Sequence, residues 1–409
     1  MRFSSLTDRF EKADRIFDSI IIGGGLSGTL AATVLGRAGY HVCLIDRYEI
    51  YPKDFRAEHL DGGIIDSLMR LNLLDELTDG LFRGETVTIA RNARVIGMTA
   101  TVNFGLRYEN LVNRARSALP EHVHRVVGRV SKIETTDDLQ NVSLSNGDVV
   151  TGRLIVLATG QGAAVGRQAG ARRVTLRERH SLTFGFQIEP AGVASFKDSF
   201  LVYQRENIRD KIDYLAAFTM GGRTRVNLFT YRDYNDPWTK SFLADPDAGL
   251  KRNLPGLEAV IGPYQASGPV EARPIDLYVT KDATRPGLVL IGDAFQSSCP
   301  ATGMGIIRLL TDIEQLCGVH LPRWLETPGM DATKVGAFYR DPIKVACDAK
   351  ALRDSAYRRA VSTETTPGWR LHRARLAMVE QARALLHRRP AVGYPRVAGQ
   401  EQRPTLVPG

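Results

Sequence analysis

A chain of 409 residues has room for two or three domain-sized units, or for one large α/β unit carrying an insertion. Hydrophobic residues make up 43% and charged residues 24%, which excludes a mainly disordered chain and leaves ample apolar material for a core. The net charge of +9 is concentrated near the end: residues 351–409 hold eleven arginines, no lysine and four acidic residues, so the rest of the chain is close to neutral. That distribution, without aromatic residues interleaved in a basic groove, argues against a nucleic-acid partner.

No apolar run approaches the roughly 18 residues that a membrane-spanning helix needs, and the first residues lack the apolar stretch of a secretory signal. The four cysteines form no CxxC pair and have no close histidine, so neither a disulfide framework nor a metal site is expected. A cytoplasmic protein is the expectation.

In chain order, FDSIII at 17–22 reads as a buried strand, GGGLSG as a turn, TLAATVLGRAG as a helix and YHVCLID as a second strand. A loop from residue 51 leads into a helical pattern in IIDSLMRLNLLDEL. Residues 85–104 read as strand and 106–119 as helix. The β pattern returns over 123–158 with a turn at Asn146–Gly147. Residues 180–233 alternate as a mainly antiparallel sheet with one buried face. GLVLIGD is a late buried strand, 304–318 a helix, and 332–389 mostly helical. This order implies a nucleotide-binding domain over 1–173 and 274–330, split by a substrate domain over 174–273. A helical extension over 331–389 and a flexible Pro/Gly-rich tail over 390–409 complete the expected arrangement.

Gly23, Gly25 and Gly28 form G-x-G-x-x-G, and these glycines with Leu26 and Ser27 of the same turn are expected to bind the cofactor. The first glycine allows the tight turn, the second lets a pyrophosphate approach the backbone, and the third lets helix and strand pack closely. Asp46, followed by Arg47, ends the second strand 18 residues after Gly28, where a carboxylate accepts both ribose hydroxyls and disfavours a 2′-phosphate. The nucleotide is therefore expected to be FAD or NAD rather than NADP.

The stretch GLVLIGDAFQSSCPATGMG at 287–305 decides between them. Gly292–Asp293 with Pro300, Gly303 and Gly305 resembles the GD…P..G.G flavin motif of the class A flavoprotein monooxygenases, the para-hydroxybenzoate hydroxylase-like group. That resemblance implies an α/β Rossmann-like FAD-binding domain with an inserted mixed β-sheet substrate domain and a helical C-terminal extension. It also implies FAD as cofactor, NAD(P)H as transient reductant, and oxygen transfer through a flavin C4a-hydroperoxide to an aromatic or other electron-rich small molecule. Asp293 would bond the ribityl chain, Pro300 would shape the pocket, and the helix opened by Gly303, Met304 and Gly305 would support negative charge on the flavin. Arg56 resembles the family's arginine near the pyrophosphate, Arg107 the residue opening the helix at the phosphates, and Val130 the strand residue beside the adenine.

One departure stands out: Thr159 occupies the place of the aspartate in the family's Asp–Gly motif, which puts direct NAD(P)H handling in doubt. A geranylgeranyl-reductase-like enzyme and a non-catalytic flavoprotein scaffold stay open as alternatives. A halogenase is disfavoured because the three tryptophans are isolated. Cys299 is expected to be packed or substrate-facing rather than a reactive thiol, and His59 and His180 are expected to be structural. Phe184, Phe186, Tyr203, Tyr214, Phe218 and Phe229 should divide between core and pocket, with no indication of which is which. The arginine-rich helix near the end suits an anionic membrane or a partner, but the expectation is that its apolar side packs on its own domain.

Overall fold

The computed structural model describes residues 16–190, 200–220 and 222–386. Two sheets organise it. In the first, four parallel strands lie in the order His124–Val127, Val42–Asp46, Phe17–Ile22 and Val149–Leu157, and the short strand Leu288–Leu290 pairs on the far side of the last. The hairpin Val130–Glu134/Gln140–Leu144 extends the start of Val149–Leu157. The central strands are buried on both faces, as parallel strands must be: Ile20, Ile21, Leu154 and Ile155 are each 0% exposed. Helix Leu26–Arg37 covers one face through Leu30, Ala31 and Leu35.

The second sheet has eight strands and is mixed, with one parallel pairing between Phe200–Gln204 and Arg83–Arg91. Its backbone consists of the long strands Arg172–Pro190 and Tyr264–Lys281 with Ile212–Met220 and Arg223–Thr230. The strands His59–Asp61, Arg83–Arg91 and Arg94–Gly105 also belong to this sheet, although the sequence reading assigned residues 1–173 to the nucleotide-binding part. They contribute through tertiary pairing that no local pattern announces.

Alternation sorts the aromatic residues of this sheet. Phe184, Phe186 and Tyr203 point to one face and form a core beneath helices Pro237–Ala244 and Pro246–Asn253. Tyr214, Phe218 and Phe229 point to the other, with Phe200 and Val202.

Helix Met304–Gln315 leaves the flavin-type loop and packs under helix Pro342–Thr363 through a buried charge network. Lys344 Nζ donates to Asp312 Oδ1 (2.7 Å) and Asp348 Oδ2 (3.0 Å), and Arg308 Nε donates to Asp348 Oδ1 (2.8 Å). Lys344, Arg308 and Asp312 are each 1% exposed. The last described helix, Pro367–Leu386, corrects one expectation. Trp369 packs on Tyr357 and His372, and Arg373 Nη1 donates to the Glu364 carbonyl (2.8 Å), but Leu371, Met378 and Val379 face outward at 50–65% exposure. Its apolar side is thus only partly buried on its own domain. The expected tail at 390–409 lies outside the described residues. Among the described residues no helix is long and apolar enough to cross a membrane, and no cluster of metal-ligating side chains occurs.

Candidate active site

The glycine turn sits between the first strand and its helix, as its spacing implied. A Cβ on Gly28 would lie 1.9 Å from the Gly23 carbonyl oxygen, so only glycine permits this approach. Asp46 closes the neighbouring strand. Its carboxylate accepts the Gly24 N–H (2.7 Å) and the Tyr48 N–H (2.8 Å), and Arg116 Nη2 lies 3.1 Å away. Two oxygens held this way keep lone pairs free for hydroxyl donors. Arg116, buried and also bonded to the Gly24 carbonyl, was not anticipated, because an arginine inside NRARS carries no signal that it turns inward. Leu26 is buried, and Ser27 Oγ lies 2.6 Å from where a Cβ on Gly292 would stand. Arg47 is exposed over Tyr48, and Val130 is half-buried at the start of its strand.

Asp293 follows the late strand Leu288–Leu290 and meets Arg56 Nη1 at 3.3 Å and Gln161 Nε2 at 3.4 Å, while Tyr278 Oη donates to its carbonyl (2.7 Å). Arg56 Nε also donates to Asp54 Oδ2 (2.7 Å), and Arg273 Nη1 to Asp54 Oδ1 (2.6 Å). Burial alone would weaken the Arg56 proton, but Tyr108, Asp293, Asp54 and Tyr51 outweigh it and hold the guanidinium charged. Sequence reasoning found Arg56 and Asp293 but missed Asp54, Gln161 and Arg273, which reach the site from three separate elements. Arg107 caps helix Tyr108–Ser117, and its Nη1 is bonded to Glu58 (3.3 Å) and Glu271 (2.9 Å), beside the buried Arg225–Glu58 pair. Thr159 donates to the Gly162 carbonyl (3.2 Å), a turn contact within its own loop.

The loop from Cys299 to Gly305 is fixed from behind. Ser355 Oγ accepts the Cys299 N–H (3.0 Å), and Tyr214 Oη donates to the Ala301 carbonyl (3.1 Å). Burial pushes the Cys299 thiol up to about 11, so it is a packed thiol rather than a nucleophile. Pro300 leads a short turn that ends at Gly303, whose φ is +67°. A Cβ at Gly303 would meet nothing within 4 Å, and one at Gly305 only Ser298 Oγ at 3.9 Å. The Met304 N–H is turned to Thr302 Oγ1 (3.2 Å), and the side-chain-free surface at Gly303 and Gly305, at the positive end of the helix, makes a cradle suited to the edge of a planar, electron-accepting ring. Together with the glycine turn, Asp46, Arg56 and Asp293, these features fit FAD.

Facing this loop is the aromatic side of the second sheet. His59 stacks on Phe200 at 3.8 Å and lies beside Phe218. Its Nδ1 is 3.6 Å from Asp61 Oδ2, and its Nε2 is buried without a hydrogen-bond partner. Burial holds the imidazole below its ordinary pKa against the opposing pull of Asp61 and of the Asn103 side chain.

A family model described as an FAD binding domain matches residues 17–317. The chain is 23% identical over 323 residues to 6-hydroxynicotinate 3-monooxygenase of Bordetella bronchiseptica, covering 72% of this chain and 80% of the relative. It is 23% identical over 330 residues to 3-demethoxyubiquinol 3-hydroxylase of Escherichia coli, covering 73% and 78%. In fold it is similar to the p-nitrophenol 4-monooxygenase of Pseudomonas putida, with a TM-score of 0.68, 18% identity and coverage of 90% and 94%. It is also similar to the halogenase PltM, with a TM-score of 0.65, 15% identity and coverage of 85% and 77%. The glycine turn, the Asp293 motif and the loop-borne helix all lie inside the matched span, and the chain belongs to the FAD-binding-domain family as an FAD-dependent oxidoreductase of the class A flavoprotein monooxygenase group.

Proposed function

We propose that the enzyme hydroxylates a small aromatic molecule carrying an ionisable ring hydroxyl, and that His59 takes the proton of that hydroxyl. When bound, FAD supplies the oxygen-transfer chemistry, drawing electrons from NAD(P)H and oxygen from O₂. Arg56, Asp46 and Asp293 would hold the cofactor, and the helix beginning at Met304 would support charge at its ring edge. The aromatic wall of Phe200, Tyr214, Phe218 and Phe229 would sandwich a ring and exclude water.

The single observation that carries the reading is the buried, unpartnered Nε2 of His59 on that wall, with Asp61 beyond Nδ1. Asp61 favours the tautomer with the proton on Nδ1, which leaves Nε2 as the acceptor. Because burial lowers the His59 pKa, the ring is neutral at neutral pH, and its Nε2 lone pair is not taken up by a proton. Removing a phenolic proton makes a ring electron-rich at the moment it must attack an electrophilic oxygen. The relatives' names point the same way, since they specify 6-hydroxynicotinate, p-nitrophenol and a ubiquinol.

The test is a panel of hydroxylated aromatic compounds, read by NAD(P)H oxidation coupled to oxygen uptake. With the substrate found, His59→Ala should lower kcat roughly 10²–10⁴-fold while FAD content stays unchanged. The native rate should fall as pH drops through the His59 pKa, and the variant should lose that acid limb. A variant that keeps both rate and pH profile removes His59 from the chemistry.

A further inference from the structure

Behind the flavin loop lies a second cavity of about 310 Å³, opening between the long strands Arg172–Pro190 and Tyr264–Lys281 and helix Pro342–Thr363. Its walls are apolar: Leu277 comes from a strand, and Leu352 and Ala356 come from successive turns of the helix. Its charges are not balanced. Arg177 and Arg359 both line it against one carboxylate, Glu364, and Arg177 has no hydrogen-bond or ion-pair partner among the described residues.

His180 lines the same cavity. It is 1% exposed, yet neither ring nitrogen makes a well-formed hydrogen bond, the Ser355 backbone offering only a weak polar contact. Burial, with Arg359 and Arg177 beside it, pushes its pKa down to about 4, so it is a neutral ring offering one donor and one acceptor. A buried imidazole left unpaired is costly and calls for a partner. The backbone is bent to place it there. The strand register breaks between Arg177 and Ser181, Arg179 takes a φ of +46°, and its N–H is tied to Asp276 Oδ1 at 2.7 Å. Bulges of this kind re-aim side chains beside functional sites. The guanidinium of Arg359 holds the His180 carbonyl, which fixes the helix against the bulge.

We propose that this cavity binds an organic monoanion, with a carboxylate on Arg177, Arg359 and the His180 N–H and a short apolar chain or ring along Leu277, Leu352 and Ala356. The volume is that of a small-molecule site, and two cations against one rim carboxylate select a single negative charge. The site is separate from the aromatic wall, so its failure would leave the hydroxylase reading untouched.

The experiment titrates the FAD-loaded full chain with octanoate by calorimetry, using octanol and inorganic phosphate as the uncharged and tail-less probes. Saturable one-to-one octanoate binding is expected, with octanol and phosphate each weaker by about tenfold or more. Arg177→Gln, on an exposed strand position, should weaken octanoate about tenfold, and Leu352→Trp should abolish it by filling the cavity. Both variants should keep their FAD. The proposal is overturned if octanoate does not bind at millimolar concentration, if octanol binds as well, or if neither variant changes the affinity. It is equally overturned if binding is lost on Phe218→Ala instead, which would place the carboxylate at the aromatic wall.

Discussion

Replacing Lys344 by methionine tests how the C-terminal helix is held to the flavin loop. The ammonium lies 2.7 Å from Asp312 Oδ1 and 3.0 Å from Asp348 Oδ2, over the rings of Phe295 (4.3 Å) and Phe338 (4.9 Å). Methionine fills much of the same volume, so the loss is mainly electrostatic. Asp348 keeps Arg308 as a partner, but Asp312 is left fully buried with only the Gly292 N–H (2.7 Å) on its other oxygen. Breaking a buried pair from one side costs about 3–5 kcal/mol, because a charge remains without its counter-ion. In a chain of this size, with an unfolding entropy of about 2.1 cal/mol/K per residue, that corresponds to a fall in Tm on the order of 3–6 °C. Burial already raises the Asp312 pKa, with Lys344 the largest opposing influence, so the substitution raises it further. A carboxyl whose folded pKa is raised stabilises the fold below its unfolded pKa, and that stability is lost as pH rises through the folded value. The gap between native and variant should therefore narrow as pH falls from neutral towards the carboxyl range. Adding Asp312→Asn should recover more than half of the loss, since the amide oxygen still accepts the Gly292 N–H. Melts at saturating FAD, across pH, keep the ligand contribution fixed. A single variant that loses under about 1 kcal/mol, or a gap that does not narrow in acid, would refute the argument.

Gly28→Ala should yield protein without visible flavin absorbance after purification, since its Cβ would stand 1.9 Å from the Gly23 carbonyl oxygen; a yellow variant would show that the turn can open. Asp293→Ala should weaken FAD roughly ten- to a hundredfold in a fluorescence titration, from the loss of about 1.5–3 kcal/mol of charge-assisted hydrogen bonding. Unchanged affinity would mean that Arg56 and Gln161, not the ribityl chain, account for the position of this carboxylate. Deleting the chain from Gly368 onward removes a helix whose Leu371, Met378 and Val379 face outward, so FAD content should hold and the melting temperature should fall only slightly. Insoluble protein after that deletion would mean that the Trp369 and Arg373 contacts carry more of the fold than their exposure suggests.

The parts of this molecule legible in the sequence are those encoded over short distances. A run of buried residues before GGGLSG makes a strand, a turn and a helix start within a dozen positions, and Asp46 ends the next strand at the required spacing. Gly292–Asp293 and Gly303–Gly305 likewise build their half of the site from one continuous segment. What only the tertiary structure decided depends on which elements meet. Alternation placed Phe184 and Phe186 opposite Tyr214 and Phe229, but only the packing of helices on one face and the flavin loop on the other made the first pair core and the second a wall. His59 and Asp61 are two residues apart in a short strand, and nothing local marks them; strand pairing with Arg94–Gly105 carries them to Phe200. Lys344, Asp348, Asp312 and Arg308 read as surface charges on two helices until those helices cross, because burial of a charge is a property of the neighbours and not of the residue.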